Sequence, residues 1–211
     1  MMCCIDGEQG AFQILPWLLA AGEQGDTLGG KATEEAFGFL QTLVQDGSIS
    51  ENCINLTQTD LAREFIAGKT AMMQNGPWIF PALKEAGVSY GVTGIPGKNK
   101  DNAVVGGENI GILKGKNVEG SAAFMKFLME GNSLEEFCRQ ASVLTPKIKS
   151  AGELDREEEA LQVFEQQMEH AVTRTSIPSW SSVSKKLTGG MFGIISGEMN
   201  ARDAAKLFRK S

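Results

Sequence analysis

Glu64-Phe65-Ile66-Ala67-Gly68-Lys69-Thr70-Ala71-Met72-Met73-Gln74-Asn75-Gly76-Pro77-Trp78 is the stretch on which the reading of this chain turns. Leu61 and Phe65 stand one helical turn apart, with Gly68 after them as a stop, so a helix opened by Thr57 or Thr59 ends here. Residues 69–74 have the length of a strand. Asn75-Gly76 signals a turn, and Pro77 suits the first position of a new helix, where its missing N–H costs nothing. A helix, a strand, a turn and a second helix in quick succession are the grammar of an α/β protein.

Working outward, the same alternation recurs. Residues 1–5 form a short apolar run that predicts a buried strand. Residues 11–21 predict an internal helix with Pro16 in its first turn or at a kink, followed by a glycine-rich loop over residues 22–30. Thr33 is positioned to cap a helix whose Ala36, Phe37, Leu40, Leu43 and Val44 share one face, stopped by Gly47. Residues 88–93 alternate as a strand should, and residues 104–113 read as a strand interrupted by glycines. Asn117 starts a helix carrying Phe124, Phe127 and Leu128. Ser133 with Glu136 predicts a capping box. A long helix is expected over residues 155–171, another from Val183 to Ile195, and a last one capped by Asn200.

Composition bounds the class. The 211 residues include 26 acidic and 20 basic side chains, a net charge of −6, with 42% hydrophobic and 22% charged residues. An acidic balance without a basic cluster argues against nucleic acid as a partner. No run of about 18 apolar residues is present to span a bilayer. Residues 1–6 lack a basic n-region and a cleavage site, so they do not read as a secretory signal. Cys3, Cys4, Cys53 and Cys138 show no metal-ligand spacing, and neither a metal nor a cofactor is expected.

Enzyme signatures are missing: no nucleophile elbow, zinc-binding helix or phosphate-binding loop occurs. His170 near a helix end suits the dipole. Glu157 to Glu159 read as a solvated face. The aromatics say more. Trp17, Trp78 and Trp180 all lie beside prolines, in Pro16-Trp17, Pro77-Trp78 and Pro178-Ser179-Trp180. An indole in a rigid turn is presented at an element end, where clefts of α/β proteins form. Sugar C–H faces pack on such rings while hydroxyls need fixed polar partners. Trp78 leads, because Asn75 and Gly76 make its turn polar and open.

These residues also resemble a family. The block from Phe65 to Trp78 is similar to the F-x-x-G-K-x-A-M-x-x-x-G-P-W segment of family 1 extracellular solute-binding proteins, the maltose-binding-protein-like sugar receptors of ABC importers. Further features follow in the same order. Pro16-Trp17-Leu18-Leu19-Ala20-Ala21-Gly22 looks like a P-W-x-x-x-A-G helix, and Tyr90-Gly91-Val92-Thr93-Gly94-Ile95-Pro96-Gly97 resembles a Y-G-V-x-x-x-P-G strand. Val105-Gly106-Gly107-Glu108-Asn109-Ile110-Gly111-Ile112 resembles a G-G-x-x-x-x-I return strand, and Gly197 followed by the Asn200 helix with Ala204-Ala205 resembles the terminal helix. The resemblance covers essentially the whole chain but only the later part of a family member.

The resemblance implies a type II periplasmic-binding-protein fold, mainly its second lobe. Residues 1–97 and 152–211 would form that lobe, and residues 98–151 would cross to a first lobe otherwise missing. Hinge closure of two lobes on a sugar is the implied motion. It implies stacking by Trp78, hydrogen bonds from Glu108 and Asn109 near the hinge, an aromatic wall from Trp180, and a helix region of Phe12, Gln13 and Trp17 lining the second-lobe side. The implied partners are a carbohydrate, bound weakly by this chain alone, and the membrane subunits of an ABC permease, at the extracellular face or in the periplasm. Phe124, Phe127, Leu128 and Phe137 would expose apolar surface and favour self-association. Two competing readings are the ligand-sensing domain of a transcription regulator, which would need a helix-turn-helix ahead of it, and a small hydrolase, for which no nucleophile–base pair stands out.

Overall fold

Apolar helix faces drive the assembly seen in the computed structural model, which describes residues 1–24, 28–98, 102–107, 109–146 and 159–209. Helix α1 (Glu8–Ala21) is apolar nearly all round, as a central helix must be, and carries Pro16 inside it. Pro16 has no hydrogen to give the Phe12 carbonyl one turn earlier. Around α1 pack α2 (Lys31–Gln45) and α8 (Trp180–Ile195), with α9 (Ala201–Lys206) closing against both of these. Phe37, Leu18, Leu187 and Met191 are fully buried where these helices meet. The Phe37 ring tilts toward Phe208 at 6.4 Å between centroids.

The start of α2 departs from the sequence expectation. Thr33 is not its cap but lies inside it and is buried, while Gly30 stands at the cap position. A carboxylate from the preceding loop serves instead. Glu23 Oε1 accepts from Gly30 N at 3.2 Å, Thr33 N at 2.8 Å and Thr33 Oγ1 at 2.6 Å. Free N–H groups and the helix dipole both favour an anion there.

Helix α3 (Gln58–Ile66) opens as expected on Thr57, with a reciprocal capping box to Asp60. Pro77 heads a 3-10 turn (Pro77–Ile79) that runs into α4 (Phe80–Glu85). A second, smaller core of Ala62, Ile79 and Leu83 forms here, with Phe80 stacked on Tyr90 at 5.6 Å. Helices α5 (Val118–Met129) and α6 (Ser133–Ala141) pack on each other. Asn117 caps α5 through Gly120 N. The capping box expected for α6 does not form, because Glu136 turns to Arg139 at 2.6 Å and Gln140 at 2.6 Å. Helix α7 (Glu159–Met168) ends three residues before the expected Ala171, and its expected start at residues 155–158 lies outside the described residues.

Strand structure is sparser than the sequence suggests. A parallel pair, β1 (Val104–Val105) with β2 (Val172–Thr173), is the sheet found among the described residues. Residues 1–5, 69–74 and 88–93 are extended or irregular without a ladder. The physical reason is pairing: a strand needs a neighbour along its whole length, and period-2 patterning alone does not supply one. The patterning itself is real, since Val88, Tyr90 and Val92 are half-buried while Ser89, Gly91 and Thr93 are exposed. Isolated backbone bonds still hold the first segment in place, from Cys4 N to Cys53 O at 2.9 Å and from Gln74 N to Met1 O at 2.9 Å.

The four-helix core holds α1 and α8, which carry Phe12 and Trp180. Replacing Phe37 with Ala should destabilise the chain by about 3–5 kcal/mol. Urea denaturation followed by far-ultraviolet circular dichroism measures it, and a loss below about 1 kcal/mol would show that this ring is not central.

Candidate functional site

Helix α1 gathers the candidate residues along its first half. Trp78 reaches it through a polar relay. Gln74 Nε2 donates to the Gln13 carbonyl at 2.8 Å, and Gln74 Oε1 accepts from Trp17 Nε1 at 2.7 Å. Gln58 N donates to Gln9 Oε1 at 3.2 Å, and Asn75 Nδ2 donates to the Gln58 carbonyl at 2.8 Å. The turn that carries Trp78 is thus tied to α1 at two places. Pro77 and Ile79 are buried on either side, and Trp78 turns outward with 45% of its surface exposed. Its ring lies directly on Gly76, where a Cβ would fall about 2.0 Å from the indole. Glycine is required there because any side chain would displace the ring.

The second convergence is electrostatic. Arg174 follows β2, and its guanidinium lies over the Phe12 ring at 4.9 Å and over the Trp180 ring at 5.9 Å. Its Nη1 donates to Glu8 Oε2 at 2.6 Å. The same oxygen accepts from Trp180 Nε1 at 3.0 Å, and Glu8 Oε1 accepts from Ser184 Oγ at 2.7 Å. The parallel register sets Val105 beside Thr173, so Gly106 follows on next to Arg174. A Cβ on Gly106 would stand 3.2 Å from Arg174 Nη2 and 3.3 Å from Phe12 Cε2. Ser179, just before Trp180, holds a left-handed backbone at φ 55, an unusual setting for a side-chain-bearing residue at the base of an indole.

Glu8 feels two opposing influences. Desolvation pushes its carboxyl up, yet the hydrogen bonds from Ser184, Trp180 and Arg174, with the Arg174 charge, together bring it below the usual glutamate value.

The sequence-predicted residues divide. Phe12 and Trp180 come together around Arg174, and Trp78 stands outward on the neighbouring turn. Asn109 is exposed beyond β1. Glu108 lies outside the described residues. Gln13 is not presented to a ligand: it is 2% exposed, and its Oε1 accepts from Cys3 N at 3.2 Å. A polar residue on the inner face of α1 is spent on satisfying buried backbone. Trp17 is half-buried, its indole N–H committed to Gln74 and its ring tilted on Phe39 at 5.3 Å. Sequence reasoning missed Glu8, Arg174 and Ser184. Their contacts bridge 166 and 176 residues, and only an acidic residue in a first helical turn beside an uncapped Gly7 hinted at one of them.

Phe12 and Trp180 are half-buried, and Trp78 is exposed. Two grooves lie elsewhere. One of about 450 Å³ is lined by Ile110, Ile112, Phe124 and Met125, and one of about 390 Å³ by Thr93, Asn102, Gln167 and His170. Among the described residues no cluster of His, Cys, Asp and Glu is placed to hold a metal, and no helix is long and apolar enough to cross a membrane. Such a surface suits packing and hydrogen bonding to a neutral, many-hydroxylated ligand.

Similarity to known proteins bears on the family and the fold. Residues 6–165 match the family described as bacterial extracellular solute-binding protein. A maltooligosaccharide ABC transporter solute-binding lipoprotein of Streptococcus pneumoniae serotype 4 is 27% identical over 161 residues, 74% of this chain and 37% of that protein. Among solved structures, the maltose/maltodextrin-binding domain MalE from Bdellovibrio bacteriovorus bound to maltotriose superposes with a TM-score of 0.78 at 21% identity, over 98% of this chain and 57% of that one. Maltose-bound T. maritima MalE3 gives 0.81 at 17% identity, over 100% and 58%. The fold is that of the type II periplasmic maltose-binding proteins. The chain spans about a third of the length of the curated relatives it matches.

A carboxyl held below its usual range in the fold stabilises the protein above the ordinary glutamate value of about 4.3, and that stabilisation drains away as acid protonates it. Urea midpoints of wild type and Glu8→Gln should therefore differ near about pH 7 and converge in acid. A gap that persists unchanged to about pH 3 would exclude the carboxylate as its cause.

Proposed function

We propose that this chain, which belongs to the bacterial extracellular solute-binding protein family, supplies one wall of the saccharide cleft in the binding component of an ABC sugar importer. A maltooligosaccharide-type ligand fits best, given what the named relatives bind. The observation that carries the reading is the meeting of Phe12 and Trp180 around the Arg174–Glu8 pair at the start of α1, with Trp78 turned outward on a turn tied by hydrogen bonds to the same helix. Pyranose C–H faces stack on the rings, and hydroxyls bond to Asn109, Glu108 and the Arg174 fork. Gln13 and Trp17 hold the wall rather than touch the sugar. The sugar is handed on unchanged to the permease, so no residue carries a catalytic role. This work takes place at the extracellular face or in the periplasm.

Residues 1–97 and 152–211 form the lobe in this reading, supported by the main core that runs from Met2 and α1 to α8 and α9. Residues 98–151 are the excursion, supported by the pairing of α5 with α6. That pair exposes Phe124, Phe127 and Phe137 by 56%, 61% and 59%, an apolar face on which copies of the chain associate.

Two measurements test these points. Isothermal titration with a panel of oligosaccharides should show binding that Trp78→Ala weakens by about tenfold or more, on the order of 1.4 kcal/mol. A variant that binds as tightly as wild type takes Trp78 out of the site. Light scattering should find mass rising with concentration, and Phe124→Ser with Phe127→Ser should return it to the monomer; a wild-type monomer at every concentration defeats the self-association.

A further inference from the structure

The wall holds a cation whose charge is cancelled in place, and this bears on which saccharides it admits. Arg174 is flanked by Phe12 at 4.9 Å and Trp180 at 5.9 Å, and its Nη1 is spent on Glu8 at 2.6 Å. Glu8 is itself pinned by Trp180 Nε1 at 3.0 Å and Ser184 Oγ at 2.7 Å. Nη2 borders Gly106, on the segment that leads to Asn109. A guanidinium carries five donors in a rigid plane, so a fork with one arm tied down still offers N–H groups to hydroxyls. Pairing removes its net charge. A sugar carboxylate approaching the wall therefore finds little attraction from Arg174 and meets the anionic Glu8 beside it.

We propose that Arg174 and Glu8 together determine specificity. Arg174 donates to hydroxyls of a neutral oligosaccharide lying against Phe12 and Trp180, and Glu8 neutralises and orients the guanidinium so that uronate-bearing saccharides are rejected. This rests on the reading of the chain as a saccharide-cleft wall. Glu8 acts through Arg174 and is a positioning residue. The selection is one of charge, not of ring size or linkage.

The test titrates the 211-residue chain, Glu8→Gln, Arg174→Gln and Arg174→Lys calorimetrically with maltotriose and with trigalacturonate, at low and high salt. Wild type should prefer maltotriose by about tenfold or more. Glu8→Gln keeps one acceptor oxygen for Arg174 and Trp180, turns an NH2 toward Ser184 Oγ, and lacks the charge. It should shift the neutral-to-anionic ratio toward trigalacturonate by about tenfold, an effect that shrinks at high salt. Arg174→Gln should lose maltotriose binding by about tenfold. Arg174→Lys keeps the charge without the planar fork; it should lose maltotriose binding to a similar extent, and it decides the question if the glutamine variant fails to fold. The ratio is the deciding readout, because purely structural damage lowers both ligands alike. Wild type that binds neither saccharide removes the cleft reading itself. Maltotriose binding that survives both Arg174 substitutions, or a ratio unmoved in Glu8→Gln, overturns the specificity inference and leaves the cleft reading standing.

Discussion

One carboxylate joins the parts of this structure that matter most. Glu8 collects hydrogen bonds from Arg174, Trp180 and Ser184, three residues from the far end of the chain. Neither α1 nor α8 is capped by a side chain at its own N-cap position. Both helices begin near this anion, where their unsatisfied N–H groups and dipoles favour negative charge. Burial opposes an ionised group, and the donors outweigh it. The result fixes the orientation of an indole, an arginine and two helix starts with one side chain.

Behind that contact the helices provide rigidity. The core of α1, α2, α8 and α9 is closed by Phe37, Leu18, Leu187 and Met191, all removed from water. Close packing of this kind resists small displacements, so side chains mounted on its rim keep their spacing. The turn bearing Trp78 is attached differently, through the amides of Gln74, Gln58 and Asn75. The side-chain amides of Gln74 and Asn75 each meet a particular partner, which sets which end is oxygen and which is nitrogen.

Local signals were readable in the sequence and distant ones were not. Pro77 at a helical start, Thr57 and Asp60 as a capping box, and Asn117 and Asn200 as caps all depend on neighbours within one turn, and all form. Thr33 failed as a cap because Glu23 reaches in from a loop. The strands at residues 69–74 and 88–93 failed because alternation describes one chain while a ladder needs two. Of the candidates read from prolines, turns and a familiar block of residues, Phe12 and Trp180 meet around Arg174 and Trp78 faces outward. Gln13 misled, since nothing in its neighbours reveals which way α1 faces. Arg174 and Ser184 left no local trace and Glu8 only that of an acid in a first helical turn, since the folded topology alone brings the three within reach.

Trp180 is the first residue of a sixteen-residue helix. At about 1.5 Å per residue that helix is a rod roughly 24 Å long, and its flank lies against α1 while its far end meets α9. A load on the indole is therefore applied to the tip of a stiff lever rather than to a loose loop. Whatever touches that ring is mechanically coupled, along the rod, to the contact of Gly190 with Ala204 of α9.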